Sequence, residues 1–328
     1  MNSQGSLDRA QCRRFSTMFL GMLAVILLAA AWLPGQTSSR SEEATAPEKP
    51  AQKQPESSSA VWKPVEDAMG RSGTVQPDGA LKFSMPRKDL KVTIGGNTVK
   101  PGLALGSWAA FKKQGNVALL AGDLVLTEDE IPPVMTKLQD GGVEVTALHN
   151  HLLNENPRVM YMHIGGKGDP VKLAAALHDA LALIKTPGAS PAAAPEQNIG
   201  IDVSQIEQIL GHKGKVNGGV LQVTVPRSEK IMMHGMQMPP SMGVATGINF
   251  QPTQNGRAAI AGDFVLLAQE VNLVIKALRQ NGIAVTALHS HMLEEQPRLF
   301  FMHFWAEDDA LKLARGLRAA LDQTHSAP

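Results

Sequence analysis

This chain is built twice from one pattern. Residues 118–164 align onto residues 258–304 without a gap at an offset of 140, and 22 of those 47 positions are identical. A repeat of this length means that one supersecondary unit must fold stably in two diverged versions. The anchors are Ala121-Gly122-Asp123 with Ala261-Gly262-Asp263, and Val145-Thr146-Ala147-Leu148-His149 with Val285-Thr286-Ala287-Leu288-His289. Pro157-Arg158 matches Pro297-Arg298, and Met162-His163 matches Met302-His303. Upstream, Pro86-Arg87 matches Pro226-Arg227 at the same offset, and Gly70 matches Gly211 after one residue of slippage. The repeats therefore cover 61–185 and 199–322, with a Pro/Ala/Ser-rich linker over 186–198.

Within a repeat, Ala118–Leu126 is an apolar run of strand type. Glu128–Gln139 has helical spacing, with Thr127 as its N-cap and Gly141-Gly142 as its stop. Val143–Leu153 reads as a strand, Asn154–Arg158 as a turn and Val159–Ile164 as a second strand. Asp169 or Pro170 then opens a helix with Leu173, Leu177, Leu181 and Ile184 on one face. The order strand–helix–strand–strand–helix predicts an α+β, ferredoxin-like unit with a mostly antiparallel sheet, duplicated in tandem.

Ahead of the repeats, residues 1–35 hold Arg9, Arg13 and Arg14 followed by an apolar run from Met18 to Leu33. Basic residues before an apolar segment, and none just after it, are the pattern of a signal peptide or membrane anchor with its N-terminus inside. Ala29-Ala30-Ala31 suits cleavage, whereas the length of the run suits retention, and both remain open. Either predicts a periplasmic or extracytoplasmic protein, secreted or held to the membrane by that segment. Residues 36–60 switch to Ser, Glu, Pro, Lys, Gln and Ala and form a disordered linker, because they cannot bury enough apolar surface to fold.

Composition excludes several function classes. The net charge is +1, so no basic footprint for nucleic acid exists. The one cysteine, Cys12, precedes the apolar run, so the repeats have no disulfide, no thiol nucleophile and no Cys-ligated metal. Gly-x-Ser-x-Gly, phosphate-loop and dinucleotide motifs are absent.

The first repeat carries His149-Asn150-His151-Leu152-Leu153-Asn154-Glu155-Asn156-Pro157-Arg158, then Met162-His163. The second carries His289-Ser290-His291-Met292-Leu293-Glu294-Glu295-Gln296-Pro297-Arg298, then Met302-His303. This pattern resembles the DUF1259 family, also called LppY/LpqO, over both repeats. The resemblance implies nothing definite about activity. Some members of that family are lipoproteins, from which this chain departs by lacking a lipid-acceptor cysteine after the apolar run.

The same residues point to metal chemistry without the family. Side chains alternate along a strand, so His149 and His151 share a face, as do Tyr161 and His163. Pairing Leu153 with Val159 sets His149 opposite His163 and His151 opposite Tyr161, with opposed Cβ atoms about 4.5–5.5 Å apart. His289, His291 and His303 repeat the arrangement, so six of the ten histidines lie in two matching hairpins. Three imidazoles with an open fourth position suit zinc or copper. Met160, Met162 and Ile164 would then face the C-terminal helix, leaving the histidines on the opposite face with Val143, Val145 and Ala147. That face is too apolar for water and needs cover from other strands or from the sister repeat.

Glu155 and Glu295 in the turn are candidate fourth ligands or bases, or solvated turn residues. Asp123 and Asp263 are candidate partners for a ligating imidazole, or bulge residues. Glu130 and Glu270 also repeat, and Arg158 and Arg298 would either clamp an anion or pair at the surface. Met232, Met233, His234, Met236, Met238 and Met242 form a methionine-rich stretch in the second repeat, fitting either a soft copper site or core packing. Three readings follow: an exported protein binding a transition metal, a metal-dependent hydrolase or lyase, and a metal-free envelope binding module. Its partner is a metal ion or small molecule, with the membrane added if the N-terminal segment is retained.

Overall fold

A computed structural model describes residues 58–184 and 199–327. The signal or anchor segment, nearly all of the linker over 36–60 and all of the linker over 186–198 lie outside the described residues. Among those described, no helix is long and apolar enough to cross a membrane.

The first repeat runs α1 (Ser58–Met69), β1 (Thr74–Val75), β2 (Leu81–Pro86), β3 (Thr93–Ile94), β4 (Asn97–Thr98), α2 (Pro101–Ala104), β5 (Gly106–Gln114), β6 (Val117–Leu126), α3 (Ile131–Asp140), β7 (Glu144–His149), β8 (Met160–Gly168) and α4 (Pro170–Leu181). The second repeats the plan with α5 (Val203–Leu210), β9 (Gly214–Asn217), β10 (Val220–Pro226), β11 (Ile231–Met233), β12 (Met236–Met238), β13 (Ala245–Pro252), β14 (Arg257–Leu266), α6 (Val271–Gln280), β15 (Ala284–His289), β16 (Phe300–Asp309) and α7 (Ala310–Leu321). The architecture is mixed α+β in two similar halves. Each half holds a six-stranded antiparallel sheet, ordered β1-β2-β5-β6-β8-β7 in one and β15-β16-β14-β13-β10-β9 in the other. The expected strand–helix–strand–strand–helix core is β6-α3-β7-β8-α4, and the antiparallel pair β5 and β2, with β1, widens its sheet.

Each sheet has one face for helices and one for its sister. Met162 and Ile164 pack with Leu173, Ala174 and Leu177 of α4, and Val134 and Leu138 of α3 join the same core. Asp169 caps α4 by accepting from the backbone N–H of Val171 and Lys172. On the opposite faces, two further apolar clusters each mix residues of both repeats. In one, Ala110 and Leu119 of the first sheet meet Met233, Met236, Met238, Met242 and Phe301 of the second repeat. In the other, Val92, Ile94 and Tyr161 of the first repeat meet Val220, Ala259 and Ala261 of the second. The β3–β4 and β11–β12 hairpins are arms filling the space between sheets. The described residues of both repeats form one compact unit.

Four local expectations need correction. Helix α3 starts at Ile131, after a turn over 128–130, because Glu130 is held by Arg87 and takes the Thr127 N–H at 2.9 Å. Strand β7 stops at His149, so the Val143–Leu153 strand is too long and His151 has left it. His149 pairs with Tyr161 and Ala147 with His163, two residues from the expected register. Finally, Val143 and Val145 belong to the helix-side core, not to the histidine face. The register offset follows from β7 ending at His149, which lengthens the connection to β8. The last has its own cause, an irregularity between Val145 and Ala147 that makes Thr146 an extra residue and flips the alternation across it. Thr286 does the same in β15.

Candidate metal centre

The six hairpin histidines form one cluster between the repeats. His149 stacks on His289 with ring centroids 3.5 Å apart, His151 on His303 at 3.7 Å and His163 on His291 at 3.5 Å. Equivalent residues make the first stack, and the other two exchange under the operation that swaps the repeats. The backbone contacts obey the same twofold relation. The Thr146 hydroxyl donates to the His291 carbonyl at 2.6 Å, and the Thr286 hydroxyl donates to the His151 carbonyl at 2.5 Å. The bulge residues thus pin each loop histidine to the other repeat.

The ring nitrogens divide into an outer and an inner set. His149 Nδ1 lies 3.1 Å from the Asn150 carbonyl, His289 Nδ1 3.4 Å from the Ser290 carbonyl and His303 Nδ1 3.1 Å from the Gly262 carbonyl. His163 has a matching backbone bond to Gly122. A carbonyl only accepts, so these contacts assign the proton to Nδ1 and leave the Nε2 lone pair free. The Nε2 atoms of all six histidines are buried without a protein hydrogen-bond partner, and so are Oδ1 of Asp123 and of Asp263.

Ligand nitrogens of His149, His151 and His163 lie within 4.8 Å of one another, as do those of His149, His289, His291 and His303. Asp123 Oδ2 sits 3.7 Å from His151 Nε2 and 3.9 Å from His163 Nε2, and Asp263 Oδ2 sits 3.7 Å from His291 Nε2. Those separations exceed a hydrogen bond, but donors about 2.1 Å from a common ion are about 3.0–4.2 Å apart. The buried histidine groups could hold a metal ion. Glycine places the aspartates: a Cβ on Gly122 would lie 2.7 Å from the Trp108 carbonyl, and one on Gly262 would lie 2.1 Å from the Gly247 carbonyl. Only glycine lets the neighbouring strand come so close beside each Asp.

Burial sets the protonation of the cluster. It is the main cause taking His149 down to about 3, helped by the neighbouring His289. It takes His289 down to about 4. His151, His163, His291 and His303 are held well below the ordinary imidazole value by burial and by one another. Burial pushes Asp123 up to about 8, and burial with Asp123 raises Asp263 well above the carboxylate range. The imidazoles are therefore neutral and the carboxyls disfavour their charge unless a cation joins them.

The remaining candidates fall elsewhere. Glu295 is fully buried and accepts from the Leu299 N–H at 2.9 Å, with Arg298 Nη1 at 3.3 Å, so it fixes the loop before β16. Glu155 is half-buried with Oε1 unpaired, and Arg158 is exposed. Met236 and Met238 are buried in the apolar cluster around Ala110 and Phe301. His234 sits at φ 49 in the turn after β11, its Nδ1 3.4 Å from Glu294 Oε2.

Sequence reasoning missed two features. Arg87 makes a bidentate pair with Glu130 at 2.7 and 3.1 Å while donating to the Val125 carbonyl, and Arg227 repeats this with Glu270 and the Val265 carbonyl. Both members recur at the 140 offset, which was the available signal. The Thr146 and Thr286 locks were visible only as part of a repeated pentapeptide.

The profile of a family described as Domain of Unknown Function (DUF1259) matches residues 63–183 and 204–323. The chain belongs to the DUF1259 family, in two tandem copies. No curated protein matches this DUF1259 chain. Solved structures similar to it include the trimeric bacterial microcompartment shell protein PduB, at 11% identity over 76% of this chain and 92% of that one, with a TM-score of 0.19. EtuB from Clostridium kluyveri is 9% identical over 76% of this chain and 90% of its own, with a TM-score of 0.18. Likeness at those scores carries no argument about this DUF1259 protein.

Proposed function

We propose that this protein binds a transition metal, zinc or copper, in one composite site made by the HxH…H hairpins of both repeats. The observation that carries the reading is the set of six inward Nε2 atoms and two Asp oxygens, all buried and without a protein partner. One unpaired buried polar atom costs about 1–3 kcal/mol. Eight in one cluster make a poor structural core but a good donor set. Six imidazoles and two carboxylates suffice for two four-coordinate ions, and a site without thiolate suits Zn(II) or Cu(II). Elemental analysis of protein purified without a histidine tag tests the reading: at least one zinc or copper per chain is expected, and metal-free protein that takes up neither ion would refute it.

The same proposal sets the site outside the cytoplasm, secreted or membrane-held, on the strength of Arg9, Arg13, Arg14 and the apolar run Met18–Leu33. A reporter fused after Ser59 should then be active only beyond the inner membrane. The partner in this reading is the ion, and neither nucleic acid nor a reacting substrate is required.

A further inference from the structure

The two repeats match closely around the cluster but differ at Asn150/Ser290, Tyr161/Phe301 and Gly165/Trp305, and at one further pair directly beside the aspartates. Ser107 Oγ accepts from the Val125 N–H and Thr246 Oγ1 accepts from the Val265 N–H, which fixes β5 and β13 in equivalent register. The next residue differs. Trp108 stands directly across the ladder from Asp123, whereas Gly247 stands directly across from Asp263. Cross-strand partners share a face, so both positions look toward the histidines.

Trp108 fills its position. A Cβ on Gly243 of the other repeat would lie 2.8 Å from its ring, and the Lys82 ammonium sits 4.4 Å from its centroid on the ring face. The indole is wedged between the repeats. At Gly247 a Cβ would meet no atom within 4 Å. The aspartates register the difference: the Asp123 side chain is 8% exposed and that of Asp263 is 22% exposed.

We infer that the cluster is reached chiefly through the gap Gly247 leaves beside Asp263, while Trp108 fills the equivalent approach beside Asp123. The ligand this fits is a hydrated divalent cation. It meets the Asp263 carboxylate first, where exchange of water for a hard oxygen donor starts dehydration. Asp263 Oδ2 itself lies 3.7 Å from His291 Nε2, whose ring stacks on His163, so the next donors are at hand. The cation's identity rests on the metal-binding reading, but the approach itself does not.

Two readouts keep the claims apart. In the full chain, Gly247→Ala, Gly247→Leu and Gly247→Trp are compared with wild type and with Trp108→Gly. The first readout is the rate of Co(II) uptake, followed by its visible absorbance. The second, on metal-free protein, is the rate at which diethyl pyrocarbonate modifies the six histidines, mapped by peptide mass. Both rates should fall with side-chain size at position 247, by about tenfold for Trp, because burial of the path acts on access and not on final affinity. Final Co(II) content should stay unchanged, and Trp108→Gly should be as fast as wild type or faster. If Gly247→Trp fails to fold, the Ala and Leu variants still define the trend. Carbethoxylation rates that ignore the residue at 247 overturn this approach. A wild-type protein that takes up no Co(II), yet shows graded carbethoxylation, keeps the approach and removes the metal reading.

Discussion

His149 and His289 stack ring on ring across the interface between the repeats, with centroids 3.5 Å apart and planes inclined by 30°. Of the three short stacks this is the one made by equivalent residues, so it marks where the twofold relation passes through the cluster. Both rings also belong to the groups of nitrogens that lie within ligand distance of one another. Replacing both by Ala should abolish tight metal binding. Metal at about a hundred times Kd stabilises a folded state by roughly 2.7 kcal/mol, and that increment should vanish from thermal unfolding of the variant. A double variant retaining its full metal content and its metal-dependent shift in Tm would make the hairpins structural.

Stability without metal should depend on pH in a direction set by the buried imidazoles. His149 is taken down to about 3 and His289 to about 4 in the fold, while an unfolded histidine takes its proton near about 6.5. Between those values the unfolded chain binds more protons, so stability falls as pH drops from about 6.5 toward about 4. Asp123 acts in the opposite sense, since its raised value of about 8 favours the fold as pH falls below that point. Comparing Tm between wild type and the His149→Ala/His289→Ala variant separates the two. The variant should lose less Tm over that window, and equal slopes would show that the two rings are protonated within the fold.

The Arg87–Glu130 pair is almost completely buried, with side chains 1% and 4% exposed. Removing Arg87 strips the buried Glu130 carboxylate of its bidentate partner, which costs about 3–5 kcal/mol, whereas Arg87 keeps Asp89 at 2.8 Å if Glu130 is lost. Arg87→Met should therefore destabilise strongly in urea unfolding, and Arg87→Met with Glu130→Leu should recover much of the loss. Metal content should be unchanged in whatever fraction stays folded. A mild single variant would mean that water reaches the pair.

Gly262 carries the Asp263 carboxylate past the Gly247 carbonyl at a separation that excludes a Cβ. Gly262→Ala should cost about 1–3 kcal/mol through forced displacement of β13, read as a lower Tm. Because the displaced strand is the one beside Asp263, metal affinity should fall too. A variant with wild-type Tm and affinity would show that the strand yields freely.

The sequence alone determined the duplication and the strand–helix–strand–strand–helix order, and it singled out the six hairpin histidines. Those follow from local quantities: a fixed offset of 140, and apolar spacing along one element. Asp169 as a helix cap, and Met162 with Ile164 on the helix side, were legible for the same reason. Only the tertiary structure decided that two three-histidine hairpins meet in one cluster. Docking two sheets face to face is a nonlocal choice, made by the apolar areas of Met233, Met236 and Phe301 against Ala110 and Leu119, and no spacing within a repeat encodes it. The facing of Val143 and Val145 was illegible as well, because one extra residue at Thr146 reverses which side chains face the helices. The bulge is held in place by a hydroxyl bonded to His291 of the other repeat. A contact between residues 145 positions apart is invisible to any window that reads one hairpin at a time.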